Sequence, residues 1–403
     1  MIESKTITGR WWVEGLEQPA ISGTLNTLPD ELSLSIWKHQ SIKLEELLSR
    51  ASKNALLDVP PVIWGRDEDD KPVSLFGCSV GEYSSSAALE KFEINALAAV
   101  RGLEIESWTI PVARAVLVKP ALLHQWFDRK LLTSSKSDDG KVAFAPEDRL
   151  DLVFPLEAGI SIRFSEFTLP SRSSEEYRFF PDSQVWFHFE EPRSLADVRD
   201  RWVPWLTRLL GLLIGTAVWS EEIRVFTVNP YEGGSSTIGN EGELLPKSSG
   251  RGRTRLRKPH AHNMVAPFEA VKNRLGEVLA EWHRVCTQLE PVVDLFAAVA
   301  LYHELFLEAR FLFLVQALEI YHACSARFES RELPKQQHKE WVSRSVEALP
   351  TELRDWAKGK LLLNSRSLCV KLLEIFKAHQ SEAKRVFDDV ENAASRIAYT
   401  RNY

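Results

Sequence analysis

Cysteine is scarce and scattered: Cys78, Cys286, Cys324 and Cys369 lie far apart, and no two form a Cys-x-x-Cys pair. That spacing argues against a zinc ribbon and a disulfide framework, and fits buried thiols in a reducing compartment. Long apolar runs are missing as well. The longest, Leu209 to Trp219, is about ten residues, well short of the roughly 20 that span a bilayer, so no membrane partner is expected. The opening Met1-Ile2-Glu3-Ser4-Lys5 lacks a basic segment followed by an apolar one, which points to the cytoplasm rather than to secretion. No strong charge of one sign is present either. With 50 Lys and Arg against 56 Asp and Glu the formal charge is only -6, so any contact with nucleic acid needs a local basic surface. Metal ligands do not gather: His260-x-His262 is the nearest thing to a pair, and it sits beside Pro259 with no obvious third ligand. No metal or other cofactor is expected.

What is present divides by pattern. A chain of 403 residues has room for two or three domains with separate cores. Up to about Pro230 the pattern is mostly β. Thr6 to Val13 and Glu31 to Trp37 alternate or enrich β-formers at period two, and further strand candidates run Ser107 to Val118, Ile160 to Phe167 and Gln184 to Phe189. Pro61 to Trp64 and Val73 to Phe76 flank a charged loop over 65–72 and read as a hairpin. One helix interrupts the strands. Ser194-Leu195-Ala196-Asp197 resembles a capping box, and Trp202, Trp205, Leu206, Leu209, Leu210 and Leu213 then recur at helical spacing, a face suited to packing on the sheet. Tyr231 to Gly250 is rich in Gly, Ser and Glu and leads into Arg251-Gly252-Arg253-Thr254-Arg255-Leu256-Arg257-Lys258. Beyond it the pattern is helical over 264–288, 291–330 with a break, 335–348, 351–378 and 380–400, with Pro291, Pro334 and Pro350 marking helix starts. The expected class is α+β multidomain: a mostly antiparallel, β-sandwich-like domain with one packed helix over 1–230, a flexible basic linker over 231–262, and an all-α bundle over 263–403.

Several segments carry a family resemblance. Glu308 to His322, with its Gln316-Ala317-Leu318-Glu319, is similar to the Gln-Ala-Leu-Glu helix of ApeA-type HEPN domains. Ser367 to Glu374 resembles their penultimate helix, although Cys369-Val370 stands where Arg-Leu is commoner, and Ser395 to Tyr403 resembles the approach to their active site. In the N-terminal half, Gly9 to Val13 with Ser22 to Leu25, then Leu122 to Phe127, then the 194–219 helix resemble the β-rich domain that precedes HEPN in this family. The resemblance implies a metal-independent endoribonuclease of antiphage abortive-infection defence. RNA would be the substrate, with tRNA one candidate, the helical domain would form a homodimer, and the β-rich domain would answer to an unknown infection trigger.

The chemistry fits those residue types. Cleavage by an RNA 2′-hydroxyl needs a base, an acid for the leaving 5′-oxygen, and positive charge on the phosphate; histidine serves the first two near neutral pH and arginine the third. Arg401 and Asn402 are the catalytic candidates, read as the start of an Arg-x4-His motif whose histidine would fall beyond Tyr403, so the chain as written is expected to be inactive and its helical domain C-terminally incomplete. On an ideal helix five residues turn by about 500°, leaving the arginine and histidine roughly 140° apart, a problem that two copies about a two-fold axis would solve. If a covering helix is lacking, Leu372, Leu373, Ile375, Phe376, Phe387, Val390 and Ile397 are expected to face a shallow open groove, some of them turning inward. Arg253, Arg255 and Arg257 are candidates for holding RNA phosphates, although a solubilising linker explains them as well; Lys384, Arg385 and Arg396, expected on the same last helix as Arg401, would extend a basic strip towards the cleft, and a solvated helix end is the plainer reading of Arg401-Asn402. Glu319 and His322, at i and i+3 on an apolar helix, read as a structural or supporting hydrogen-bonded pair. The alternative function is a catalytically dead HEPN-like scaffold that binds RNA or regulates. A distant third is a glycan binder using Trp11, Trp12, Trp37 and Trp64, although such rings more often serve sheet packing.

Overall fold

The computed structural model describes residues 5–13, 21–28, 31–38, 62–85, 90–130, 132–136, 142–146, 148–172, 177–228, 230, 241–245, 259–301, 305–328, 333–361, 364 and 366–402. They form two compact units, 1–280 and 281–403.

The first unit is built on strands β1 (Lys5–Val13), β2 (Ile21–Leu28), β3 (Glu31–Lys38), β4 (Ile63–Asp67), β5 (Pro72–Phe76), β6 (Ser79–Ser85), β7 (Glu90–Ala96) and β8 (Ala98–Arg101). They are followed by β9 (Pro111–Pro120), β10 (Leu132–Lys136), β11 (Val142–Pro146), β12 (Leu150–Glu157), β13 (Ile160–Arg172), β14 (Tyr177–Ser194), β15 (Ser220–Phe226) and β16 (Glu241–Leu245). Fourteen of them join one hydrogen-bonded sheet in the order β12-β13-β14-β9-β15-β16-β8-β5-β4-β1-β2-β3-β7-β6, while β10 and β11 pair separately. Neighbours run antiparallel, from the long β13–β14 hairpin to the short β16–β8 contact that joins the two halves of the order. Strand β16 lies inside the segment expected to be a flexible linker. Its apolar Leu244 and Leu245 are buried and its backbone pairs on both sides, so those residues belong to the sheet. The first unit also runs past the expected boundary at 263, because Met264, Phe268, Leu275 and Leu279 bury their side chains.

Small residues make room for large ones in the sheet. Trp11 is 1% exposed, its Nε1 donates to the Gly23 carbonyl at 3.1 Å, and a Cβ on Gly65 would come within 2.3 Å of the indole. That buried indole removes Trp11 from any sugar-stacking row, while Trp37 is exposed and Trp64 donates to the Ile105 carbonyl. The β4–β5 turn is held by Asp67, whose Oδ1 accepts from the Asp69 and Lys71 backbone N–H groups and whose Oδ2 accepts from Arg101 Nε at 2.6 Å. Gly65, Arg66 and Asp67, expected in the loop, thus extend the strand. Elsewhere Glu166 is 3% exposed, and its Oε2 contacts His124 Nδ1 at 2.9 Å and accepts from Ser183 Oγ, which satisfies a buried carboxylate in place.

The expected helix begins as capped: Ser194 Oγ accepts from the Asp197 N–H at 3.1 Å. One turn over Leu195–Asp197 and a π-turn over Val198–Trp202 lead into the helix Val203–Ile214, which ends on Gly215 at φ 85°. Its Trp202 and Trp205 pack against Phe187 and Phe189 of β14, so the apolar face does lie on the sheet.

The second unit is helical. A helix over Leu275–Leu301 crosses the boundary between the units and breaks at Leu289 (φ -132°, ψ 32°), beside Pro291, which has no N–H to continue the ladder. Numbering helices from here, α1 is Leu307–Cys324, α2 is Lys335–Glu347, α3 is Thr351–Leu361, α4 is Leu368–Ala378, α5 is Gln380–Val386 and α6 is Val390–Asn402. The runs expected to be continuous over 351–378 and 380–400 are each split. Ser367 Oγ caps α4 by accepting from the Val370 N–H, and Asp389 Oδ1 starts α6 by accepting from the Glu391 and Asn392 N–H groups, so two short polar side chains restart the helix. Leu372, Ile375, Phe376, Ala383 and Ala394 form the core, with Leu373, Phe387, Val390 and Ile397 packed on it. Leu372, Ile375 and Phe376 thus turn inward, whereas Leu373, Phe387, Val390 and Ile397 pack on them and stay half-buried. Among the described residues no helix is long and apolar enough to cross a membrane.

Candidate functional site

Helices α1, α4 and α6 converge on a cluster of charged side chains. Helix α1 is apolar around most of its circumference, but Glu319 and His322 are three residues apart and share a face. On α4, Lys371 and Glu374 repeat that spacing with the charge order reversed. The two faces meet as a ladder. Lys371 Nζ lies 3.8 Å from Glu319 Oε1, and His322 Nε2 lies 2.7 Å from Glu374 Oε2. Arg366, just before the α4 cap, pairs with the other oxygen of Glu374. Arg401, in the last turn of α6, donates from Nη2 to Glu319 Oε2 at 3.0 Å.

The two tiers differ in exposure. The His322 side chain is fully buried, stacked 4.9 Å from Phe328, and its Nδ1 is buried without a hydrogen-bond partner among the described residues. A proton on Nδ1 would thus be stranded, so the stable form is neutral, with Nε2–H donating to Glu374. Burial, and then the positive charges of Lys371 and Arg366, hold its pKa below the usual histidine value. Arg401 behaves differently: its side chain is 41% exposed and one N–H reaches Glu319, which leaves other guanidinium donors for an anion. The site can therefore present a fixed positive charge to a phosphate, whereas His322 is out of reach of a substrate.

Of the residues singled out in the sequence, Arg401, Glu319 and His322 come together here. Asn402 closes α6, and its side chain lies outside the described residues, as do Arg253, Arg255 and Arg257. Lys384 and Arg385 are exposed on α5, a helix separate from the one that carries Arg401. Arg396 is exposed on α6 but stands about 140° around the helix from Arg401, on another face. His260 and His262 stack ring on ring at 5.4 Å, and among the described residues no group of three or more His, Cys, Asp or Glu side chains is placed to hold a metal. Sequence reasoning missed Lys371, Glu374 and Arg366. The signal was available in the matching i, i+3 pairs of opposite polarity on α1 and α4.

Two family models match the chain. The one described as ApeA N-terminal domain 1 covers residues 6–282, and the one described as Apea-like HEPN covers 312–403, which includes the whole ladder except its supporting N-terminal turns. No curated protein and no solved structure matches.

Proposed function

The chain belongs to the ApeA family, with an Apea-like HEPN domain of the nuclease class used in defence, and on that footing we propose that it is a metal-independent endoribonuclease of the abortive-infection type. The observation that carries the proposal is Arg401: a half-exposed guanidinium, held at one N–H by Glu319 of the Gln-Ala-Leu-Glu segment, inside the residues matched as HEPN. In the reaction Arg401 binds a non-bridging oxygen of the scissile phosphate and stabilises the charge that grows there as the 2′-hydroxyl attacks. Asn402 holds a phosphate oxygen or orients the proton-transfer group. In the chemistry that the resemblance implies a histidine transfers the proton; His322 is too buried for the role, and His379 is engaged with the Tyr321 hydroxyl at 3.0 Å. Because an arginine and a histidine five residues apart diverge around a helix, the working cleft is composite, formed by two copies of the helical unit. The β-rich unit restrains the nuclease until an infection trigger reaches it, and RNA, with tRNA as one candidate, is the substrate.

The test is to express the native full-length protein and incubate it with labelled tRNA and single-stranded RNA in the presence of a chelator. The expected result is discrete fragments carrying a 2′,3′-cyclic phosphate, and a rate at least roughly 100-fold lower for Arg401→Ala. An undiminished rate in that variant overturns the proposal. RNA binding by the parent protein without cleavage favours the scaffold reading.

A further inference from the structure

We propose that Glu319 is the positioning residue for Arg401: its carboxylate fixes one edge of the guanidinium so that the remaining donors face the RNA phosphate. This rests on the ribonuclease reading and adds a residue-level cause to it. Three observations carry it. Among the described residues the contact is single, Arg401 Nη2 to Glu319 Oε2 at 3.0 Å, and it leaves the guanidinium fork only partly used. The other carboxylate oxygen faces Lys371, whose side chain is 16% exposed, so Glu319 is itself oriented from α4 and cannot simply follow Arg401. The tier below, His322 with Glu374 and Arg366, pins α1 to α4 one turn away and keeps Glu319 in register.

An exposed ion pair of this kind contributes little to stability. Its effect on a reaction is larger, because a flexible arginine samples many rotamers and a misplacement of about 1 Å in a positioning contact lowers a rate by roughly 100-fold. Carboxylate charge matters for a second reason. Glu319 neutralises part of Arg401 and Lys371 before substrate arrives, so two neighbouring cations can coexist on adjacent helices without repelling each other out of place.

The experiment uses the full-length protein and four variants: Glu319→Ala, Glu319→Gln, Lys371→Met and Arg401→Ala. Expected for Glu319→Ala is a kcat lower by roughly 10- to 100-fold with KM changed less than about threefold, since binding rests on many phosphates and turnover on one. Glu319→Gln keeps an acceptor without the charge, and its kcat is expected between those of the parent and the alanine variant. A readout independent of activity is the Nε–Hε group of Arg401 followed by NMR relaxation: ordered in the parent, mobile in Glu319→Ala, and more mobile than in the parent in Lys371→Met, which releases Glu319 on its α4 side. Three results would decide against the inference. One is a normal kcat in Glu319→Ala while Arg401→Ala is inactive, which leaves the nuclease reading standing. Another is an Arg401 side chain equally ordered with and without Glu319. The last is loss of turnover that tracks loss of folded protein in both Glu319 variants, which makes the residue structural. A normal rate in Arg401→Ala, or no RNA cleavage by the parent, instead removes the nuclease reading and this inference with it.

Discussion

Acidification should loosen the contact between α1 and α4 through His322. The ring is fully buried, Nδ1 has no acceptor among the described residues, and burial together with Lys371 and Arg366 holds its pKa below the unfolded value of about 6.5. The unfolded chain therefore binds a proton in a pH range where the folded chain does not, and stability rises with pH there. The contribution is fully present above about 6.5 and is lost as pH falls from that value towards the folded-state pKa. If the folded ring stays neutral throughout, the loss at pH 5.5 reaches about 1.4 kcal/mol, a sizeable share of the roughly 5–15 kcal/mol that holds a domain together. The assay is urea unfolding of the full chain at pH 7.5 and 5.5, with hydrogen exchange of peptides from α1 and α4 corrected for intrinsic exchange rates. His322→Gln, which cannot titrate, should flatten the pH dependence in those peptides. Glu374→Ala should lower stability at both pH values by about 1–3 kcal/mol, because it strands the buried Nε2–H. An identical pH profile in parent and His322→Gln, or greater stability at pH 5.5, would refute the assignment.

Two further outcomes test the first unit and the thiols. Gly65→Ala should destabilise the protein by about 1–3 kcal/mol, read as a lower urea midpoint, because its Cβ would sit 2.3 Å from the Trp11 ring in a strand that cannot shift alone; Gly65→Ala at parent stability would show that the indole moves freely. Burial pushes the Cys78 thiol up to about 12, whereas Cys324 is exposed, so iodoacetamide at pH 8 should label Cys324 quickly and leave Cys78 unmodified in folded protein, as peptide mass mapping would record.

The fold was legible where local pattern and tertiary packing agree. The capped helix after Ser194 could be read because its cap and its Trp and Leu face are both local signals, and the structure uses both. The hairpin around 65–72 was legible in type but not in length, since Asp67 closes the turn through Arg101, a residue 34 positions away. Strand β16 was hidden. Glu241–Leu245 is short, flanked by Gly- and Ser-rich chain, and becomes a strand because β15 and β8 present free edges on either side. The breaks at Ser367 and Asp389 went unread for the opposite reason: apolar spacing continues through them, and only the capping hydrogen bonds show that the helix restarts.

At the site, sequence could name Arg401 and Glu319 but not that one holds the other, because the contact spans 82 positions. Glu319 and His322 were read as a hydrogen-bonded pair, but each bonds elsewhere: His322 through Nε2 to Glu374, 52 positions away, and Glu319 to Arg401. The second nitrogen is the informative one. Burial and the neighbouring cations favour the neutral imidazole, so among the described residues the ladder sets two carboxylates, Glu319 and Glu374, against three cations, Lys371, Arg366 and Arg401. The excess is a single positive charge, and Arg401, at 41%, is the most exposed of the three cations. A chain that is acidic overall thus holds its most exposed ladder cation, Arg401, through one N–H and leaves its other donors to a phosphate, while Lys371 and Arg366 below brace the carboxylates. Replacing either half-buried carboxylate adds positive charge but frees the groups that hold α1 against α4, so stronger RNA attraction and weaker turnover should appear together in Glu374→Ala; stronger attraction with undiminished turnover would show that the ladder only neutralises charge and does not position Arg401.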